Sequence, residues 1–262
     1  MAKKTSYRER YTNALILAGE LPAEKPERKQ RVPIDAALQQ PFVDGKVLLI
    51  DKPLHWTSFD MVRKLRSILQ IKKIGHAGTL DPLATGLLII CTGKFTKKIN
   101  EYMAQVKEYT GTFTVGAITP TYDLESLPEQ TKDISFLNKE ILIATTKQFI
   151  GNIEQMPPMY SAIKKDGVAL YELARRGETV ALKARSITID QFIITAINLP
   201  IIEFKVICST GTYIRSLAHD YGQALGCGAY LSSLRRTKIG DFNANNAISL
   251  QAIAAQVNAT LQ

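Results

Sequence analysis

One carboxylate stands out for where the sequence places it. Asp81 is the single acid in the run Gly75-His-Ala-Gly-Thr-Leu-Asp-Pro-Leu-Ala-Thr-Gly-Leu-Leu-Ile-Ile-Cys-Thr-Gly93. Glycines 75, 78 and 86 let the backbone bend around it, and Pro82 removes a donor and biases Asp81 toward an extended conformation. The apolar run Leu87 to Cys91 is short enough for a buried strand. The acid is thus expected on a tight loop beside the core, where a scaffold can present a reactive group. No second acid lies at close sequence spacing. Tyr213 and Arg215 fall where Ser209 to Gly222 turns from strand into helix, and a cation so near a helix start is disfavoured unless it serves an anion. From Tyr160 to Arg176, aromatic and basic groups interleave: Tyr160, Lys164, Lys165, Tyr171, Arg175 and Arg176. Rings of this kind stack on unpaired bases while cations meet phosphates.

These residues need elements to position them. Val47 to Ile50 reads as a first strand, ending at Asp51-Lys52-Pro53. Thr57 or Ser58 caps a helix with apolar Phe59, Val62, Leu65 and Leu69 at helical spacing. Arg63, Lys64, Arg66, Lys72 and Lys73 form a candidate phosphate-contacting face on and after it. Phe95 to Ala104 reads as helical. Lys107 to Gly116 alternates Tyr109, Gly111, Phe113 and Val115 with polar residues, the pattern of a half-buried strand. Thr119 to Glu129 is expected as a polar loop, and Leu137 to Ile150 as an amphipathic helix. Pro157-Pro158 reads as a stiff, exposed lead-in to the aromatic-basic segment. Thr179 to Leu199 and Pro200 to Cys208 read as strands, and Ser249 to Leu261 as a last helix.

Composition narrows the class of partner. The chain has 262 residues, 45% of them hydrophobic, and a formal net charge of +9. That length supports one large domain or one domain with an appendage, and the basic excess favours a polyanion, nucleic acid first. Cys91, Cys208 and Cys227 form no CxxC pair and sit in or beside apolar runs, as buried thiols of a reducing compartment do. His55, His76 and His219 show no metal-ligand spacing, so no metal is expected. No run approaches a membrane span and no secretory apolar region follows the N-terminus, so a cytoplasmic protein without a membrane partner is expected. Walker, dinucleotide-binding and HExxH patterns are absent. A reaction that needs no cofactor, metal or nucleotide triphosphate is an isomerisation or a hydrolysis at carbon.

The stretch Gly75 to Gly86 resembles the catalytic loop of the TruB family, the tRNA pseudouridine-55 synthases. Three further blocks agree in type and order: Lys107-Glu-Tyr109, Pro157-Pro-Met-Tyr-Ser-Ala-Ile-Lys164 running to Arg175-Arg-Gly177, and Gly211-Thr-Tyr-Ile-Arg215 followed by Leu234-Arg-Arg-Thr237. Together they span roughly residues 42 to 245. The resemblance implies that a uridine in the tRNA T loop is detached from its ribose, turned and rejoined through carbon, with no added cofactor. Asp81 would act as nucleophile at the ribose anomeric carbon or the uracil ring, or as a base in an elimination. Arg215 would pair with it, and Tyr109 would stack on the target base. Tyr213 and Leu234 would line the uracil pocket, and His76 would meet the rearranged loop as the base flips. Lys52, Tyr160, Lys164 and Arg175 are counted with the RNA contacts.

The resemblance also implies the fold class: α/β (α+β), a pseudouridine synthase fold with a mixed, mostly antiparallel sheet flanked by helices. Residues 1–41 are expected as a flexible extension and 42–262 as the catalytic domain, with an RNA-gripping insertion at about 120–177. The partner implied is tRNA at its T-loop elbow, bound by a monomer. Longer family members carry a C-terminal RNA-binding domain of the PUA type, which is expected to be absent here. A non-catalytic tRNA-binding or tRNA-folding protein shares the basic and aromatic features but has no need of Asp81. A sibling synthase acting on another RNA is the other alternative, against which the Pro157 to Lys164 block argues.

Overall fold

The computed structural model describes residues 34–161, 163–178 and 180–259. Most of the expected N-terminal extension and the last residues of the expected C-terminal helix lie outside these. Helix α1 (Ala36–Asp44) straddles the boundary placed at Phe42. Strand β1 (Val47–Lys52) then leads to α2 (Ser58–Leu69), β2 (Ile74–Ala77) and β3 (Ala84–Thr92). A 3-10 turn and α3 (Ile99–Ala104) precede β4 (Lys107–Val115). After a long loop come α4 (Lys139–Thr146) and β5 (Gly151–Gln155), a small hairpin of β6 (Lys164–Lys165) and β7 (Val168–Ala169), and α5 (Leu170–Arg175). The chain continues through β8 (Arg185–Asn198), β9 (Ile201–Cys208), α6 (Ile214–Ala224), β10 (Ala229–Ile239), β11 (Phe242–Asn243) and α7 (Leu250–Ala259).

Nine strands make one sheet in the order β1-β3-β10-β4-β9-β8-β5, with β2 on β3 and β11 on β10. Only β10 and β3 run parallel among these pairs; the others are antiparallel. The mixed, mostly antiparallel sheet flanked by helices is the architecture expected. Strand β3 reads as an unbroken apolar run because both its faces are covered. Leu88 and Ile90 pack with Met61 and Leu65 of α2, while Leu87, Ile89 and Cys91 pack with Phe95, Ile99 and Tyr102. Each fully buried Leu or Ile stabilises by about 1.5–3 kcal/mol, which makes β3 a rigid rail for the loop entering it. A larger core gathers β4, β8, β9 and α6, with Phe113 stacked on Phe204 at 4.1 Å.

Three expectations change. Thr57 caps α2 through a full capping box with Asp60, but the buried stripe is Ser58, Met61, Val62, Leu65 and Leu69. Phe59 lies off that stripe and is 62% exposed. Pro157 and Pro158 are buried rather than an exposed lead-in. Part of the stretch 120–177, expected as an insertion, is integral to the main body: β5 is an edge strand of the main sheet, and Leu137 and Leu142 belong to the core. Only the segment around the β6–β7 hairpin and α5 forms its own small unit.

Candidate active site

The loop between β2 and β3 is pinned from three directions. The Ser58 hydroxyl, at the start of α2, accepts from Leu80 N–H at 2.8 Å and donates to Leu80 O at 3.1 Å. His55 N–H donates to Pro82 O at 2.6 Å, and Ala84 N–H closes a turn on Asp81 O at 3.0 Å. From β10, the buried Arg236 donates to Gly78 O, Thr79 O and Leu87 O at 3.1, 3.4 and 2.8 Å. Gly86 allows the close approach to β10: its φ is +99°, and a Cβ there would meet Arg236 O at 2.4 Å. The carboxylate of Asp81 is therefore fixed by backbone bonds that its own side chain does not make.

Asp81 meets Arg215 in the first turn of α6. The guanidinium grips both oxygens, Nε to Oδ2 at 2.9 Å and Nη2 to Oδ1 at 3.1 Å. Such a fork fixes orientation as well as charge. Its Nη1 stands 3.6 Å from Asp123 Oδ2. Arg215 and Asp123 are buried, whereas the Asp81 side chain is 35% exposed. Burial opposes the Arg215 charge, but Asp81, Asp123 and Glu125 outweigh it and hold its pKa above the ordinary value. Burial pushes the Asp123 carboxyl up against the opposing pull of Arg215. Burial, then the Asp123 charge, pushes Glu125 up to about 7.

Asp81, Asp123 and Glu125 line a cleft of about 730 Å³, with Leu234 and Leu231 of β10 on its wall. That volume suits a small organic group entering from solvent. Tyr109 on β4 is 8% exposed and lies opposite Arg236 of β10. Tyr213 caps α6, with its backbone clamped by Gln155: N–H to Oε1 at 2.8 Å and Nε2 to O at 3.1 Å. Burial raises the hydroxyl pKa of both tyrosines, and both feel the Asp81 charge. His76 sits on β2, its pKa lowered by burial and by Arg236. Tyr109, Tyr213, His76, Tyr160, Lys164 and Arg175 are not among the residues lining the cleft; Lys164 and Arg175 are exposed on the hairpin and α5.

The expectation for Lys52 is corrected. It is fully buried, and its Nζ donates to Pro53 O and Trp56 O at 2.9 and 2.8 Å. Those bonds tie down the turn before α2, so no RNA phosphate reaches it. Burial lowers its pKa to about 7 despite the nearby Asp81. Asp123, Glu125 and Arg236 were not foreseen as site residues. Among the described residues, no group of three or more His, Cys, Asp or Glu could hold a metal ion.

Two family models match adjoining stretches of the chain and meet at this site. The N-terminal domain of the TruB family pseudouridylate synthases matches residues 66–214, and the C-terminal domain of tRNA pseudouridylate synthase B matches 215–261. The chain belongs to the TruB family. The junction of the two matches falls inside α6, at Arg215, so both contribute to one sheet and one site. A Flavobacterium johnsoniae protein named tRNA pseudouridine synthase B is 58% identical over 216 residues, covering 80% of this chain and 94% of that one. A Phocaeicola vulgatus protein of the same name is 49% identical over 217 residues, 80% of this chain and 92% of that one. Among solved structures, a Cbf5-Nop10-Gar1 complex matches with TM-score 0.65 and 29% identity, over 83% of this chain and 55% of the matched chain. An H/ACA RNP bound to a substrate RNA containing 2'-deoxyuridine matches with TM-score 0.61 and 28% identity, over 83% and 53%. The chain thus spans about half the length of those two structures. These neighbours carry the pseudouridine synthase fold, and this chain shares it.

Proposed function

We propose that this chain is a tRNA pseudouridine synthase that isomerises the T-loop uridine at position 55, acting as a monomer with Asp81 as the reacting group. The observation that carries the reading is the Asp81 carboxylate, gripped on both oxygens by buried Arg215 at the wall of the cleft. Relatives named tRNA pseudouridine synthase B, up to 58% identical over most of both chains, supply the substrate class. The T loop rests on the block from Pro157 to Lys164.

The reaction balances within the substrate. The bond from uracil N1 to the ribose anomeric carbon breaks, and a bond from uracil C5 to that carbon forms. The proton on C5 leaves and N1 gains one, so nothing enters or departs. Asp81 acts by nucleophilic attack at the sugar or the uracil ring, or as a base in an elimination; each route needs its carboxylate at the cleft wall. The uridine must leave its stack to reach it, at a cost of a few kcal/mol that cleft contacts offset. In this reading Leu234, on the cleft wall, covers the flipped base, and Tyr109, buried behind the cleft in the apo fold, stacks on the base and helps to take the proton from C5 once the RNA has opened a path to it. Exposed Lys164 and Arg175 meet the RNA backbone outside the cleft.

The test is pseudouridine mapping in an unmodified tRNA transcript after incubation with the protein alone. Pseudouridine at position 55 is expected. Tight tRNA binding without any product would favour a tRNA-binding or tRNA-folding protein instead.

A further inference from the structure

The geometry points to Tyr122 and His219 as a clamp that positions Asp123, and through Asp123 the Arg215–Asp81 pair. Tyr122 holds a φ of +62°. For a bulky aromatic residue this left-handed backbone is a true outlier, and such outliers concentrate at functional sites. Its ring lies on the His219 ring, with centroids 4.0 Å apart and planes 19° apart. Arg215 and His219 are four residues apart on α6, hence one above the other on one face. Tyr122 and Asp123 are neighbours in the loop after β4. In extended chain, adjacent side chains point to opposite sides. The left-handed turn at Tyr122 breaks that alternation, so two successive loop residues reach the same helix one turn apart. Tyr122 lands on His219, and Asp123 lands 3.6 Å from Arg215.

The loop is braced so that this contact cannot drift. Tyr122 N–H donates to Thr119 O at 3.1 Å, and Tyr122 O accepts from Leu231 N–H at 2.9 Å. The Asp123 oxygens are divided: Oδ1 accepts from Glu125 N–H at 2.9 Å, leaving Oδ2 for Arg215. Because Asp123 occupies Nη1, the guanidinium turns Nε and Nη2 toward Asp81. Without the stacked rings, the turn loses its ring contact with α6, Asp123 can move away from the helix, and Arg215 would lose the partner that fixes its rotation. Tyr122 and His219 act on the Arg215–Asp81 pair only through Asp123; they are positioning residues.

The inference rests on the isomerase reading above, and the test separates the two. Tyr122→Gly removes the ring but accepts the left-handed backbone, so the fold is kept; Tyr122→Phe keeps the ring. Expected for Tyr122→Gly is a fall in kcat of about ten- to a hundredfold, the scale of a reacting group displaced by an ångström, with KM and Tm nearly unchanged. Tyr122→Phe should match the parent protein. In an Asp123→Asn background, Tyr122→Gly should add almost nothing, since both act through one contact. The Arg215 Nε–H resonance in a nitrogen-15 spectrum gives a readout independent of product. It should be sharp in the parent protein and in Tyr122→Phe, and broadened or shifted in Tyr122→Gly. Unchanged kcat and resonance in Tyr122→Gly, or effects that multiply with Asp123→Asn, would overturn the clamp. If the parent protein makes no pseudouridine, the isomerase reading falls, and the Arg215 resonance still decides the clamp.

Discussion

Asp81→Asn separates chemistry from scaffold. Asparagine keeps the volume and one acceptor oxygen and gives up the charge. Arg215 loses two charge-assisted bonds, at 2.9 and 3.1 Å, but keeps Asp123 at 3.6 Å, so it is not stranded without a counter-ion. Bonds to a charged partner contribute about 1.5–3 kcal/mol. With the Asp81 side chain 35% exposed, solvent screening brings the loss to the low end of that range. A loss of about 1–2 kcal/mol is expected, which lowers Tm by about 2–8 °C in a chain of this size. Losing the reacting group should lower kcat by at least about 10⁴-fold, while tRNA affinity stays within a few-fold. Single-turnover pseudouridine formation, filter binding and a thermal melt measure the three quantities on one preparation. Turnover within about tenfold of the parent protein would remove Asp81 from the chemistry. A fall in Tm beyond about 15 °C would make it a scaffold residue. Arg215→Met is the contrasting control. It leaves Asp81 and buried Asp123 facing each other with no cation between them, and should cost about 3–5 kcal/mol.

Gly86→Ala places a methyl 2.4 Å from Arg236 O on a backbone with φ of +99°; a urea titration should show a loss of several kcal/mol, and near-normal stability would mean that β3 and β10 can part. Glu125, raised to about 7 by burial and Asp123, holds its proton more tightly folded than unfolded. Its contribution to stability therefore falls as pH climbs from the ordinary glutamate value toward 7, and stays level above. Ionisation also adds negative charge to the cleft, so tRNA affinity should drop across neutral pH. Glu125→Gln should flatten that drop, and an unchanged profile would place the titration elsewhere. Exposed Lys164 and Arg175 should contribute to a steep fall of affinity with salt. Replacing both with alanine should lower the log–log slope by about 2, and an unaltered slope would clear them of phosphate contact.

What the sequence revealed and what it hid divide along a physical line. Local rules found the helix capped at Thr57 or Ser58, the apolar strand from Leu87 and the alternating strand around Tyr109. Motif agreement placed Asp81 and Arg215, which the structure brings into bidentate contact from distant parts of the chain. Asp123 and Glu125 went unseen because Thr119 to Glu129 has the composition of any solvated loop. The burial of Asp123 and the partial burial of Glu125 follow from the bridge of Ile118 to Glu129 and the bond of Tyr122 to Leu231, which no local pattern announces. Arg236 and Lys52 did leave a signal. Each sits two residues after a buried apolar residue of its own strand, Leu234 and Ile50, and so in phase with the inward face. A cation in that phase reads as a buried structural donor, which is what both are. Phe59 misled because apolar character outweighed helical phase.

The charges around Arg215 also decide what can enter the cleft. One guanidinium stands among Asp81, Asp123 and Glu125, so the group would carry a net negative charge if all three acids were ionised. Burial counters this by pushing Asp123 and Glu125 toward their neutral forms. Even so, a phosphate gains nothing there, because the single cation is already engaged by two carboxylates. A neutral, flat base meets no such obstacle, and apolar Leu231 and Leu234 line its path. Exposed cations lie outside the cleft, Lys164 and Arg175 among them. A polyanion docking on such a surface is driven to keep its phosphates on the outside and send a base inward. On the proposed reading, the same arrangement of charge that orients Asp81 would therefore also favour a flipped nucleotide over a stacked one.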